Sequence, residues 1–449
     1  MDKFKLHIGD ALTILKTMPD QSVHCCVTSP PYWGLRDYGV EGRVWGGIED
    51  CDHEWGDNIN IHKGGPTGNG DLKQGNRRVC DEHDKMKYII AGKFCQKCGA
   101  WFGCLGLEPT PELYVDHIAI IFAEVLRVLR DDGTLWLNLG DSYATGAGKV
   151  GNCPGGGDQG ERFKKYGPAR AQVPDGKNPM SGIPTYQPNR MPIDGLKPKD
   201  LVGIPWMVAF SLRSYGWFLR QDIIWHKPNP MPESVRDRCT KAHEYIFLFS
   251  KSGKKILWRN SKTNAWVYEK PDPEYKWFDK IGNEVWNSSK TAPHYIMDEC
   301  KRRNRWSGYD YYYDQESIKE SADPQNHRDC PTGRRDTPPG TESDKGFLNG
   351  RYYTDRNKRS VWSITTKPFT GAHFAVFPPD LIDPCILAGC PEGGTVFDPF
   401  TGSGTTGEVA LKHFRKFIGI ELNTTYAKEI AMPRMEKEAV KFKQVNIFE

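Results

Sequence analysis

The chain contains no run of roughly 18 consecutive apolar residues, the least that a bilayer-crossing helix needs, and this excludes a helical membrane span. Its opening, MDKFKLHIGD, has no apolar core, so no secretion signal is read there. Neither sign of charge dominates, since 61 Lys and Arg stand against 57 Asp and Glu for a net +4. Bulk charge therefore neither demands nor excludes a nucleic-acid partner, and any basic face must be local. Internal repeats and heptads are also missing, which excludes a solenoid or a coiled coil. Without a secretion signal, the 13 cysteines read as reduced thiols or metal ligands rather than disulfides. A length of 449 residues, 38% of them hydrophobic, suits one large α/β domain with insertions or two domains.

Strand and helix patterns alternate along much of the chain. FKLHI reads as a strand, ALTILKTM as a short helix begun by Asp10, and HCCVT as a second strand. The apolar stripe Leu113, Ile118, Ile121, Phe122, Val125, Leu126 and Leu129 predicts a helix from Pro111 to Arg130, stopped by Asp131, Asp132 and Gly133 before the strand TLWLNL. Residues 144–200 hold 11 Gly and 8 Pro and read as a long loop or lid. LVGIPWMVAFSLRSYG then reads as a helix, and FLRQDIIWH and YIFLFSK as strands. Residues 301–360 break the pattern with 13 Lys and Arg, 10 Asp and Glu, and the aromatics Trp306, Tyr309, Tyr311, Tyr312 and Tyr313. Strand–helix–strand units of this kind imply a mostly parallel sheet with helices on both faces.

Two turns carry chemistry. Asp398-Pro-Phe400-Thr-Gly402-Ser-Gly404-Thr405 follows a strand and opens a helix, where glycines let the backbone pass close to a ligand. Glu421 ends the next strand, a position suited to accepting hydrogen bonds from ribose hydroxyls, and Asn423 follows it. No Lys-Ser/Thr pair follows the glycines, which excludes a nucleoside-triphosphate loop. The second turn, Thr28-Ser29-Pro30-Pro31-Tyr32, sits directly after HCCV. Its two prolines remove backbone donors, so the Ser29 hydroxyl and the Pro30 carbonyl can accept from an exocyclic amino group while Tyr32 offers a flat face to a planar base.

The two turns together resemble the amino-methyltransferases of DNA, in which a DxFxGxG turn wraps the methionine part of S-adenosylmethionine and a Ser/Asp/Asn-Pro-Pro-aromatic turn is catalytic. Here the catalytic turn comes first, the order of the beta group of these enzymes. IGDALTIL, LNLGDSY, KAHEYIFLFSK and HFAVFPPDL resemble further family elements, so the likeness covers about residues 1–50, 105–143, 201–260 and 360–430. It implies a class I S-adenosylmethionine-dependent methyltransferase fold, Rossmann-like and circularly rearranged, with a mostly parallel seven-stranded sheet. It also implies cofactor-binding residues at Asp10, Thr28, Asp398, Phe400, Gly402, Gly404, Thr405, Glu421 and Asn423, and catalytic residues at Ser29, Pro30, Pro31 and Tyr32. The substrate implied is double-stranded DNA whose target base flips out. Within the family, Ser at the first motif position points to cytosine N4, with adenine N6 as the alternative. Attack on cytosine C5 is disfavoured, because the nearest Pro-Cys pair, Pro384-Cys385, lies in a predicted helix as core. The rivals are an inactive zinc-containing DNA-binding protein and an enzyme that methylates a protein amide or an RNA amine. The family further implies a cytoplasmic protein of a bacterium or a phage-infected bacterial cell. It would be solitary or partnered by a cognate restriction endonuclease, and either a monomer or a homodimer.

Cys51-x-His53 and Cys95-x-x-Cys98 form a candidate Cys3His zinc site, closed and structural, with Cys80 and His83 as an alternative pair. Within an inserted zinc-ribbon-like region, residues 51–104, it would staple the Gly-rich stretch Gly64 to Gly75, which has no core of its own. The segments around it divide into methyltransferase parts at 1–50, 105–143, 201–259 and 359–435, a target-recognition region at 260–358, and a tail at 436–449. In the recognition region Arg302, Arg303 and Arg305 are candidate phosphate contacts. His243, Glu244 and His373 read as loop-orienting groups rather than catalytic bases.

Overall fold

The computed structural model describes residues 3–34, 41–62, 88–144, 196–197, 199–230, 236–278, 284–285, 301–321, 355–366 and 377–445. The 145–195 part of the Gly/Pro-rich segment, Cys80, His83 and His373 lie outside them.

The central strand Val23–Thr28 is almost wholly buried, as an uninterrupted HCCV run requires when both faces of a sheet are covered. Around it an eight-stranded sheet runs in the order Phe4–Ile8, Lys416–Glu421, Thr395–Asp398, Val23–Thr28, Leu129–Leu139, His243–Ser250, Phe218–His226, Val361–Ser363. Only the two pairings made by His243–Ser250 are antiparallel. Seven strands are those that the sequence pattern marks, and Val361–Ser363 adds a short parallel edge beside Phe218–His226.

Side-chain alternation sorts the core into two layers. Cys26, Leu135 and Leu137 face one cluster with the helices Ala11–Leu15, Pro111–Val128 and Ile204–Ser214. Cys25, Val27 and Trp136 face the other with Pro379–Gly389 and Thr405–Lys412. Cys385 lies buried in the first of these two helices, where burial pushes its thiol pKa up, so it is core.

The helix begun at Pro111 ends at Val128, two residues before the predicted end, and the strand that follows starts at Leu129, ahead of the expected stop at Asp131-Asp132-Gly133. The reason is tertiary. Asp132 is buried and accepts hydrogen bonds from Arg130 at 3.0 Å and from the Tyr268 hydroxyl at 2.9 Å, so it can sit inside a strand.

Two insertions carry their own antiparallel sheets. The first has four strands in the order Arg43–Trp45, Trp101–Gly103, Tyr88–Phe94, Ile59–His62. The second holds two three-stranded sheets between Leu257 and Tyr309. The tyrosines after it do not stand free for stacking on bases. Tyr313 stacks with Trp136 at 6.3 Å, Tyr312 packs on Trp266 at 5.1 Å, and the Tyr312 amide donates to the Asp132 carbonyl at 2.8 Å. They lock this region onto the central sheet. Among the described residues no helix is long and apolar enough to cross a membrane.

Candidate active site and metal centre

Because Thr395–Asp398 and Val23–Thr28 are neighbouring parallel strands, the two sequence-marked turns leave the same sheet edge side by side. Thr28 and Asp398, 370 residues apart in the chain, are joined by a 2.6 Å hydrogen bond from the threonine hydroxyl to the carboxylate. Asp398 also accepts from the Thr406 hydroxyl at 2.6 Å and from the Phe400 amide at 3.0 Å. Burial pushes its pKa up to about 6 against these donors. The carboxylate therefore ties the start of the glycine turn to the helix that follows. Gly404, at φ +80°, turns the chain into that helix, and a Cβ there would meet the Ala431 Cα at 2.9 Å.

Glu421 works from the next strand. One carboxylate oxygen accepts from the Gly402 amide at 2.7 Å and the other from the Asn423 amide at 2.7 Å. Burial pushes its pKa up to about 7. Asp10 caps the first helix, accepting from the Thr13 amide at 2.8 Å, and forms an ion pair with Arg43.

These turns open onto one cavity of about 340 Å3. Of the residues expected at the cofactor, Asp10, Phe400, Gly402, Thr405, Glu421 and Asn423 line it, whereas Thr28, Asp398 and Gly404 stand behind the lining as supports. Ser29 and Pro31 of the second turn line the same cavity, whereas Pro30 and Tyr32 do not. Carboxylates beside turn amides on one side and the apolar Trp45, Leu107 and Ile121 on the other suit a ligand with both a polyol and a flat apolar part.

The Tyr32 hydroxyl sits at the centre of a polar network. It donates to Asn138 or to Glu244, each at 2.9 Å, and receives from the Ser29 hydroxyl at 3.3 Å. Burial, with the Glu244 carboxylate beside it, raises the phenol pKa well above its ordinary value, so the group stays a donor. Asn138 donates to the Tyr245 carbonyl at 3.0 Å, and Glu244 is ion-paired with Lys227. The ring lies against Gly140, where a Cβ would come within 2.6 Å of it. His243 meets Tyr245 edge-on at 5.4 Å, and burial lowers its pKa.

Sequence reasoning missed Arg43, Trp45 and Phe377 as cavity residues, and assigned Asn138 no role. The signal for Asn138 was a polar residue near the end of an otherwise apolar strand in LNLGDSY, where it is buried. Nothing in the sequence marks Arg43 or Trp45, because an insertion brings them to the cavity. One expectation is corrected outright. Arg305 is buried and ion-paired with Glu274 and Glu284, so it cannot reach a phosphate. Arg302 and Arg303 are exposed, Arg302 lying 3.9 Å over Tyr275.

Cys51, His53, Cys95 and Cys98 converge, their donor atoms all within 4.8 Å of one another. Cys51 and Cys95 sulfurs are 4.0 Å apart, and Cys98 sulfur lies 3.4 Å from His53 Nδ1. Ligands about 2.3 Å from a tetrahedral zinc stand about 3.8 Å from one another, so the donor set fits that ion.

The chain is similar to known proteins. The family model described as DNA methylase matches residues 23–432. Type II methyltransferase M.Cfr9I of Citrobacter freundii is 33% identical over 430 residues, covering 96% of this chain and 87% of the relative. Type II methyltransferase M.SmaI of Serratia marcescens is 34% identical over 424 residues, covering 94% and 88%. Among solved structures, the cytosine-N4-specific PvuII DNA methyltransferase is 14% identical with a TM-score of 0.43, covering 99% of this chain and 94% of that one.

Proposed function

The chain belongs to the DNA methylase family of the N6/N4 type, and from that premise we propose that it methylates the exocyclic N4 amino group of cytosine at a specific site in duplex DNA, using S-adenosylmethionine. The observation that carries the reading is the shared cavity, whose wall holds both Ser29 of the Ser-Pro-Pro-Tyr turn and Glu421 with the glycine turn.

The bound cofactor supplies a methyl group already activated on a sulfonium, so the protein's work is positioning. Glu421 and Asn423 hold the ribose end, and the 399–405 turn holds the methionine end. The Ser29 hydroxyl and the Pro30 carbonyl accept the two N–H bonds of the target amino group, which localises its lone pair for in-line attack. Tyr32 stacks on the base, and its hydroxyl, tied to Asn138 and Glu244, prevents the ring from turning away. A paired base cannot reach this recess, so the target flips out at a cost of about a few kcal/mol. The amino proton leaves to solvent after transfer. Cytosine is chosen over adenine on Ser29, the residue type that the family favours for N4 targets.

The four-ligand cluster is assigned to structural zinc, with Cys51, His53, Cys95 and Cys98 as ligands. A closed set of three thiolates and one imidazole leaves no position for a reacting water. Cys95→Ser protein should contain less than one zinc by atomic absorption, and a wild-type chain purified without zinc defeats the assignment.

Nucleoside mass spectrometry of unmethylated duplex DNA, after incubation with protein and S-adenosylmethionine, tests the main reading. N4-methylcytosine is the expected product. N6-methyladenine would retain the mechanism and overturn the base assignment, and the absence of any methylated nucleoside would overturn the activity.

A further inference from the structure

Four very short strands make a poor domain by themselves. In the first insertion the strands run three to seven residues; Trp45 and Trp101 reach into the main core, whereas the outer part has only a small cluster of Leu107 with Ile59 and Cys104. Sheets of this size need another source of order. The cysteine and histidine cluster sits where that order is needed. Ala100 immediately precedes the strand Trp101–Gly103 and Cys98 lies two residues further back, while Gly47 stands two residues after the paired strand Arg43–Trp45. At Gly47 a Cβ would come within 2.6 Å of Ala100 and 2.8 Å of the Cys98 sulfur, so the metal knuckle rests directly on the end of the strand pair.

The same strand pair is a wall of the cofactor cavity. Gly42, Arg43, Trp45, Gly103, Leu105 and Leu107 line it, opposite the 399–405 turn and Glu421. Three links carry the wall's position into the rest of the site. Arg43 pairs with Asp10 at the cavity rim. His117 stacks on Trp45 at 4.4 Å and on Trp101 at 5.3 Å, and its Nδ1 lies 2.9 Å from the buried Glu108 carboxylate. Beside that carboxylate the Trp33 indole donates to the Glu108 carbonyl at 2.9 Å, the Gly34 amide to the Gly106 carbonyl at 2.8 Å, and the Tyr114 hydroxyl to the Pro31 carbonyl at 2.9 Å. The wall thus leans on the Ser-Pro-Pro-Tyr turn from behind.

We propose that the zinc-stapled sheet is a detachable wall of the cofactor cavity, so that zinc at Cys51, His53, Cys95 and Cys98 and S-adenosylmethionine bind with positive coupling through Arg43 and Trp45. The inference rests on the metal and cofactor readings above and goes beyond a staple that merely holds its own loop. Without the ion, residues 46–51 and 95–100 lose the bond that joins them beyond the Trp45–Trp101 strand pairing, and that side of the cavity loosens. Linkage then requires the effect to be reciprocal: whatever factor the metal contributes to cofactor affinity, the cofactor contributes to metal affinity.

The test uses the full chain, zinc-loaded and chelator-stripped, with cofactor affinity measured by titration calorimetry. Stripping should weaken S-adenosylmethionine binding by about tenfold or more, within the usual range for coupled sites, and added zinc should restore it. Saturating cofactor should tighten zinc binding by the same factor, read with a competing chromophoric chelator. Arg43→Ala keeps all four ligands, so it should hold a full complement of zinc yet bind cofactor several-fold more weakly, with a smaller coupling factor. Zinc-loaded and stripped proteins of equal cofactor affinity overturn the coupling and leave the zinc assignment standing. A chain that takes up no zinc overturns both, and a zinc-loaded chain that binds no cofactor overturns the cofactor reading. Should stripping unfold the whole protein, Arg43→Ala decides, and wild-type cofactor affinity in that variant overturns the proposal.

Discussion

The turn after Asp398 and the turn after Thr28 leave adjacent parallel strands at one sheet edge, yet they are held in different ways. The Asp398 turn is held by charge. Two carboxylates, the buried Asp398 and the half-buried Glu421, take up its backbone amides and the hydroxyls of Thr28 and Thr406. The Ser29 turn is held largely by shape, with two prolines fixing the backbone and Tyr32 pressed against Gly140; the Pro31 carbonyl accepts from Tyr114, and the Ser29 and Tyr32 hydroxyls belong to a polar network. A turn that wraps a charged cofactor benefits from buried acceptors. A turn that receives a neutral base must keep its own acceptors uncommitted, and prolines do this by removing donors.

Asp398→Ala should give the largest effect. It leaves the buried Thr28 hydroxyl and the Phe400 amide without their acceptor, at about 1–3 kcal/mol for each such group, and leaves Thr406 only the longer 3.4 Å bond to the Val27 carbonyl. Calorimetric cofactor binding should disappear, with unfolding stability lower by several kcal/mol, and an unchanged affinity would sink the role given to this turn. Ser29→Ala should come next, with turnover falling about 100-fold, the scale seen when one preorganised polar contact is removed. Its cofactor affinity should stay within about twofold of wild type, and equal losses in both would erase the distinction between the turns.

A pH titration sharpens the contrast further. Burial pushes Glu421 up to about 7, so the carboxylate is largely protonated at pH 6 and ionised at pH 8. The ionised form is the better acceptor for ribose hydroxyls, so cofactor affinity should rise with pH by about tenfold across that window. Glu421→Gln should flatten the rise, and a wild-type profile in that variant would place the titrating group elsewhere. The smallest effect is expected from Tyr32→Phe, which keeps the stacking ring and removes only its hydroxyl. A stability loss of about 1 kcal/mol and a few-fold fall in turnover are the outcomes to measure. A loss as large as that of Ser29→Ala would mean that the hydroxyl takes part in chemistry.

Much of this site was legible because its motifs are local. Proline pairs, spaced glycines and a carboxylate at a strand end act within a few residues of themselves, and CxxC and CxH announce a metal on the same scale. What stayed hidden depends on tertiary placement. The sequence pattern does not show that Asp398 faces away from the cavity while Glu421 faces into it, since both simply end strands. Trp45 and Arg43 become cavity residues only through the pairing of their strand with Trp101–Gly103. Arg305 looked like a phosphate contact because its glutamate partner at 284 is distant in sequence. Asp132 failed as a helix stop for the same reason, because Tyr268 arrives to satisfy it.

The bond from Thr28 to Asp398 spans 370 residues of chain. On a ribosome adding about 5–20 residues per second, the second partner emerges roughly 20–75 s after the first. Through that interval the nascent chain carries the Ser29 turn without the Asp398 turn beside it, and its central strand Val23–Thr28 waits for the neighbour that closes one edge. Messenger truncated upstream of the glycine turn would therefore yield a polypeptide whose apolar strand Val23–Thr28 has at most the one neighbour Leu129–Leu139 and whose glycine turn is missing. For a cell, that makes synthesis of residues 395–421 the step at which this sheet edge closes and the two turns first stand side by side.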